Sequence, residues 1–364
     1  MKSFASITSA LALAALVSAA PAPVPNGGVD VRPNDTAPVY HTMTDFDFQS
    51  LNLALNQEWI ELDLFNYGVK TFSEEDFAAA GMTAEDISLV QFMANQEVGH
   101  ATLLTNILSA YGRTPAKQCQ YAYDFYTVRD FVNFCQRLTR WGESGVYGFL
   151  PHLDSRPSAQ LLLQSITTEA RQQMIFRQFS GAFPMPVYFE TGISQAMSWS
   201  LLQNYLISCP AENPRIEWPI FPALTVNNDA NLLQDGYLAA ITHNRTSLTE
   251  AGRNVSLSWE APKGNVSYDG LYNTTVGGNV TDPTAPKYVA WINQLNTTYT
   301  DFTITGNNTG STIQPNGTVF ENVDQGIING TMFIALTSEN PYVTPYNLSL
   351  LNDVIIAWGL YQAN

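Results

Sequence analysis

The segment ANQEVGHATLL, residues 94–104, sets Glu97 and His100 three positions apart inside a run with helical period. Leu89, Met93, Leu104, Ile107 and Tyr111 recur around them at spacings of three and four, so both polar side chains project from the apolar stripe. A carboxylate on a buried stripe is costly unless something compensates its charge. Thr83 followed by Asp86 is a capping-box signature and Gly112 a natural stop, which predicts a helix over residues 83–112.

Three further helices carry one such acid each. Residues 45–69 place Glu58 among Leu51, Leu55, Leu62 and Phe65. Residues 128–150 place Glu143 between Thr139 and Val146 and end before Pro151. Residues 157–179 place Glu169 among Leu162, Ile166, Phe176 and Phe179, with Gln172 and Gln173 one turn on. A fifth helical stretch, residues 191–208, is expected to pack across the bundle.

Antiparallel neighbours bring together residues equidistant from their turn. Glu58 precedes Thr71 by thirteen residues and Glu97 follows Thr83 by fourteen. Glu143 precedes Pro151 by eight and Glu169 follows Pro157 by twelve, an offset of about 6 Å at the helical rise. The four acids are thereby expected near one level. Residues 113–127 span up to roughly 50 Å if extended, enough for a long crossover between helix pairs. A single helical glutamate is ordinarily solvated, and a lone histidine on an apolar face is ordinarily a satisfied core residue. Four carboxylates at one level repel unless protons, arginines or a metal neutralise them. Arg137, Arg140 and Arg171 are the candidates for a purely ionic network. Glu-x-x-His from one helix with carboxylates from three others is the di-metal carboxylate pattern. Oxygen-rich ligation with one imidazole suits iron or manganese, one or two ions, with zinc also compatible.

The flanking sequence bounds the setting. Residues 1–20 read as a signal peptide: Lys2, an apolar stretch from Ala10 to Val17, then Ser18, Ala19 and Ala20. Residues 21–44 form a proline-bearing leader without periodicity, residues 45–209 the helical bundle, and residues 210–364 a region rich in Asn, Thr, Gly, Val and Tyr. Eleven Asn-x-Ser/Thr sequons occur and ten of them follow residue 240, so the C-terminal region is expected to be glycosylated. Strands are expected at residues 255–259, 299–305, 331–337 and 354–360, in a sandwich. The fold class is thus α+β and multidomain, a helical bundle followed by a β-rich domain. A net charge of −16 repels nucleic acid. No membrane span is expected, and residues 350–364 lack the greasy tail of a glycolipid anchor. Three cysteines, Cys119, Cys135 and Cys209, allow one disulfide, with the pairing open. His41, His152 and His243 stand without a hydrolase motif.

Taken with LNQEWIELDLFNYG around Glu58, RWGESGVYG around Glu143, TTEARQQMIFR around Glu169 and FETGISQAM at residues 189–197, residues 45–209 resemble the ferritin-like superfamily. The resemblance is to secreted fungal ferritin-like proteins linked to stress and late sexual development, kin to plant desiccation-related proteins. The repeated Asn-Gln-Glu triplet, residues 56–58 and 95–97, matches the internal helix-pair repeat of that fold. The resemblance implies Glu58 and Glu143 as terminal ligands, Glu97 and Glu169 as bridging ones and His100 as the imidazole at one metal. Where a full site repeats Glu-x-x-His, this chain has Gln172, which leaves a single metal, an asymmetric pair or an empty vestige open.

Two functions follow from this. One is an extracellular stress or development glycoprotein whose bundle is a scaffold, its β region contacting cell-wall or matrix carbohydrate, with Trp259, Trp291 and Trp358 available either for stacking or for the core. The other is an extracellular di-iron or di-manganese oxidoreductase, ferroxidase or peroxide-consuming. A storage shell is disfavoured because sugars on the appended region would hinder cage closure. Oligomeric state is not specified.

Overall fold

The computed structural model describes residues 42–230, 239 and 247–363; the expected signal peptide, residues 21–41 of the leader, His243 and the sequons at Asn34 and Asn244 lie outside them. The bundle consists of α1 (Asp45–Thr71), the short α2 (Glu74–Ala79), α3 (Ala84–Ala110), α4 (Val128–Phe149), α5 (Arg156–Phe179) and α6 (Gln195–Leu202). Local chemistry sets the starts. Thr44 accepts from the Asp47 amide, Thr83 and Asp86 cap each other reciprocally, and Thr127 accepts from the Asp130 amide. The sequence reading does not contain α2, a single six-residue turn with its own Ser73–Asp76 capping box. Helix α1 packs against α3 and α4, and α5 against the same two, so α1 and α5 face each other across the bundle.

The expected fifth helix is corrected at both ends. Ser194 caps α6, and the residues before it run extended along α4, where the Ile193 amide donates to the Ser144 carbonyl at 2.9 Å. After a 3-10 turn the chain becomes β2 (Leu206–Ser208), which pairs antiparallel with β1 (Gln120–Tyr121) of the crossover. A Cys119–Cys209 disulfide closes the same junction, and Cys135 is a buried free thiol. The glycines of RWGESGVYG explain the close approach: a Cβ on Gly148 would lie 1.7 Å from the Ile193 carbonyl oxygen, and one on Gly142 would lie 2.6 Å from the Gln57 amide nitrogen.

Two antiparallel four-stranded sheets follow. Strands β3 (Leu224–Val226), β4 (Asn254–Trp259), β8 (Thr309–Ile313) and β7 (Thr303–Gly306) form one, in the order β3-β4-β8-β7. Strands β5 (Tyr288–Asn293), β6 (Asn296–Asp301), β9 (Thr331–Thr337) and β10 (Ile355–Gln362) form the other, in the order β10-β9-β5-β6. The stretch expected as one strand over 299–305 is two, divided at Phe302, whose ring is buried between the sheets. Strands β3, β5 and β8 lie outside the expected stretches. Ala290, Ile292, Phe333, Ala335 and Trp358 face a cluster shared with the helices, whereas Val289, Trp291, Met332, Ile334 and Leu336 face the second sheet.

Trp259, Trp291 and Trp358 are all buried in this packing, so of the two uses open to them they serve the core. Seven sequon asparagines, at 254, 265, 273, 279, 296, 307 and 316, are exposed, and those at 329 and 347 are half-buried. Helix α4 docks the sheet through polar pairs: Thr331 donates to Gln136 at 2.6 Å, Gln362 to Asn133 at 2.9 Å, and the Arg140 Nε to the Thr331 carbonyl at 3.0 Å. Among the described residues no helix is long and apolar enough to cross a membrane.

Candidate metal centre

The middle of the bundle contains five buried glutamates and one buried histidine: Glu58, Glu61, Glu97, Glu143, Glu169 and His100. Glu58 comes from α1, Glu97 and His100 from one turn of α3, and Glu169 from α5. One ligand atom from each of these four lies within 4.8 Å of the others. His100 Nδ1 is the hub, 3.2 Å from Glu58 Oε2, 3.0 Å from Glu97 Oε2 and 3.8 Å from Glu169 Oε1. Gln172 joins from α5, its amide nitrogen donating to Glu97 Oε1 at 2.5 Å.

Glu143 takes a different place. Its Oε2 is 3.7 Å from the Arg140 guanidinium, an ion pair too long for a hydrogen bond. Arg140 in turn holds Glu190 and donates to the Thr191 hydroxyl at 3.2 Å. The expected four-acid level therefore divides into three acids gathered on His100 and one gathered on an arginine. Arg171 is exposed, and the Arg137 guanidinium lies over the Phe134 ring. Among the described residues, the cationic partner of the Glu58, Glu97 and Glu169 carboxylates is His100.

The electrostatics follow from burial. Desolvation pushes Glu58 up to about 7, partly opposed by His100. It pushes Glu143 up to about 8, with Glu190 adding to the rise and Arg140 opposing it. Glu61 and Glu169 are driven well above the usual carboxylate range, again by burial first and by neighbouring acids second. Burial alone would lower His100, but the Glu58 and Glu97 carboxylates outweigh it and raise the imidazole to about 11. The cluster thus holds protons at neutral pH, and a proton on His100 Nδ1 stands where a metal ion would bind.

The second imidazole nitrogen fixes which atom is offered. Thr168 Oγ1 donates to the Ser165 carbonyl at 2.7 Å, so it accepts from His100 Nε2 at 2.9 Å. Nε2 carries the hydrogen and Nδ1 turns to the carboxylates, the outer-shell arrangement that orients a metal-binding histidine. The donor set fits a hard or borderline divalent cation, with three carboxylates and one imidazole, and with Glu169 Oε2 and Gln172 Oε1 buried and without a hydrogen-bond partner. Held there, iron or manganese would supply one-electron chemistry with oxygen or peroxide.

Sequence reasoning missed Glu61, Thr168 and Glu190. Glu61 lies three residues beyond Glu58 on the same helix, a spacing visible in LNQEWIELDLF. Thr168 directly precedes Glu169, but only the fold sets it beside His100. Glu190 lies in a loop whose position depends on the packing of α6.

Comparison with known proteins agrees with this geometry. Residues 46–182 match the model of the ferritin-like domain family. Protein rds1 of Schizosaccharomyces pombe is 48% identical over 350 residues, covering 92% of this chain and 85% of that protein. With helices, buried acids and sequence in agreement, the chain belongs to the ferritin-like proteins of the rds1 family.

Proposed function

We propose that this is a secreted, glycosylated fungal ferritin-like protein of stress or late sexual development whose bundle binds iron or manganese through Glu58, Glu97, His100 and Glu169. The observation that carries the reading is the convergence of four buried ligand atoms within 4.8 Å with His100 as their cationic partner. A scaffold gains nothing from burying these acids together, because an uncompensated buried carboxylate costs stability. Secretion is supported by the N-terminal sequence, by a disulfide between Cys119 and Cys209, and by seven exposed sequon asparagines. The second reading, an extracellular metal-dependent oxidoreductase, is favoured by the unpartnered oxygens of Glu169 and Gln172, which leave room for more than one ion.

The test is elemental mass spectrometry on secreted protein reconstituted with Fe(II) or Mn(II), beside a Glu97→Ala/His100→Ala variant. Bound metal in the wild type at one or two ions per chain, lost in the variant, is the expected result. Protein that stays metal-free after reconstitution would overturn the reading and leave a scaffold.

A further inference from the structure

The strongest feature left unexplained is Glu61, fully buried on α1 among the acids of the metal centre yet belonging to neither the His100 group nor the arginine group. Its direction follows from its neighbours on the helix. Gln57 faces α4, where Trp141 Nε1 donates to its Oε1 at 3.0 Å and its own amide donates to the Leu138 carbonyl at 3.3 Å. Glu58 faces α3 and His100. At 100° per residue, Glu61 points between those two directions, toward the bundle axis and the opposite helix α5. Its Oε1 accepts from the Gln57 amide at 2.9 Å, while its Oε2 is buried and has no partner.

The level of Glu61 also differs from that of Glu143. Gln57 abuts Gly142 and Gly68 abuts Phe131, so α1 and α4 run antiparallel with Glu58 level with Trp141. Glu61 then stands level with Leu138, on the opposite side of Glu58 from Glu143. On α5, Thr168 meets His100 and Gln172 meets Glu97, so Gln172 lies toward Glu61's end and Thr168 toward Glu143's. Three buried oxygens without partners therefore belong to this end of the site: Glu61 Oε2, Glu169 Oε2 and Gln172 Oε1. At the other end the two Glu143 oxygens are also buried without hydrogen-bond partners, but a guanidinium 3.7 Å away serves as their cation, which Glu61 lacks.

We propose that Glu61, with Gln172 beside it, supplies the second metal position of this bundle, shared through Glu97 and Glu169, in place of Glu143. The chain then compensates a missing second histidine by moving the second ion along the bundle axis to an acid on α1. Four acids and one imidazole around two divalent ions come close to charge balance, whereas the same acids around one ion do not. This rests on the metal-binding reading above and refines which residues bind.

The experiment uses the full secreted chain, loaded anaerobically with Mn(II) and desalted, in wild-type, Glu61→Gln and Glu143→Gln forms. Metal is counted by elemental mass spectrometry and the spin state followed by electron paramagnetic resonance. Circular dichroism checks the fold of each variant, and Glu61→Gln replaces an ionisable carboxyl with an amide of nearly the same volume. The expected result is two Mn(II) per chain with an exchange-coupled spectrum in the wild type and in Glu143→Gln. Glu61→Gln is expected to fall to one ion with an isolated Mn(II) spectrum. Two ions retained in Glu61→Gln, or loss of the second in Glu143→Gln alone, would overturn the proposal and leave the metal-binding reading standing. One ion in both wild type and Glu61→Gln would do the same. A wild type that binds none fails the underlying reading instead.

Discussion

Two groups of acids share this bundle and are neutralised by different means. Glu143 and Glu190 flank Arg140, whose guanidinium also holds the Thr331 carbonyl of the sheet and the Thr191 hydroxyl. Glu58, Glu97 and Glu169 surround His100, the cation they share. In sequence both groups look alike, an acid on an apolar stripe of a long helix. An arginine is permanent and always charged, so the first group carries its own cation as folded and ties α4 to the sheet. An imidazole exchanges its proton for a metal, so the second group is complete only when something occupies it. The first arrangement ties helix to sheet, and the second is a cluster compatible with a metal ion.

The largest effect that separates them is expected from Arg140→Met. Removing the guanidinium leaves Glu143 and Glu190 without their cation and the Thr331 carbonyl without its donor, a loss of about 3–5 kcal/mol. Chemical denaturation should show that loss while the metal content of the surviving folded protein is unchanged. A variant as stable as the wild type, or one that sheds metal while folded, would erase the division between the two groups.

The division also accounts for what the sequence did and did not disclose. Helical period, caps and stops placed α1, α3, α4 and α5 within a few residues, because each has a long amphipathic stripe and a capping Ser or Thr. The four acids were visible as interruptions of those stripes, and the roughly 6 Å offset of Glu143 from Glu169 was already present in the spacing from the turn. Arg140 and His100 were visible as candidate cations, but which acid each one holds was not. Glu190 and Thr331 lie 50 and 191 residues from Arg140, and no local pattern encodes those contacts. The tail of the expected fifth helix became β2 because the disulfide and the pairing with β1 are long-range constraints that override local propensity.

A second prediction uses pH. Burial raises Glu58 from 4.5 to about 7 and Glu143 from 4.5 to about 8, and His100 is raised from 6.5 to about 11 by the carboxylates that outweigh its burial. A group whose folded pKa is raised stabilises the fold below its unfolded pKa and loses that contribution as pH rises through the folded value. All three have this sign: Glu58 and Glu143 lose their contribution between about 4.5 and 8 and His100 between 6.5 and about 11, so metal-free protein should lose stability as pH rises through this range. Metal binding displaces the proton of the His100 group and tightens over the same range, so Mn(II)-loaded protein should resist the decline. Thermal unfolding across pH, with chelator and with Mn(II), checks both halves. Metal-free stability that climbs through this window would contradict the proton-loaded state of the cluster.

The smallest and most local effect concerns Thr168, which lies outside the ligand set and carries no charge. Its hydroxyl donates to the Ser165 carbonyl and accepts from His100 Nε2, so its job is to hold the imidazole with Nδ1 toward the acids. Thr168→Val keeps the shape and removes the acceptor. His100 is then free to rotate or to place its hydrogen on Nδ1, and metal affinity should fall about 10-fold to 100-fold as outer-shell losses do. The Arg140 network, on the other face of the bundle, has no contact with this threonine and should be untouched. Titration with Mn(II) beside denaturant unfolding separates the outcomes: weakened binding at near-constant stability assigns Thr168 to the metal centre. Equal affinity in both proteins would mean that the carboxylates alone orient the ring.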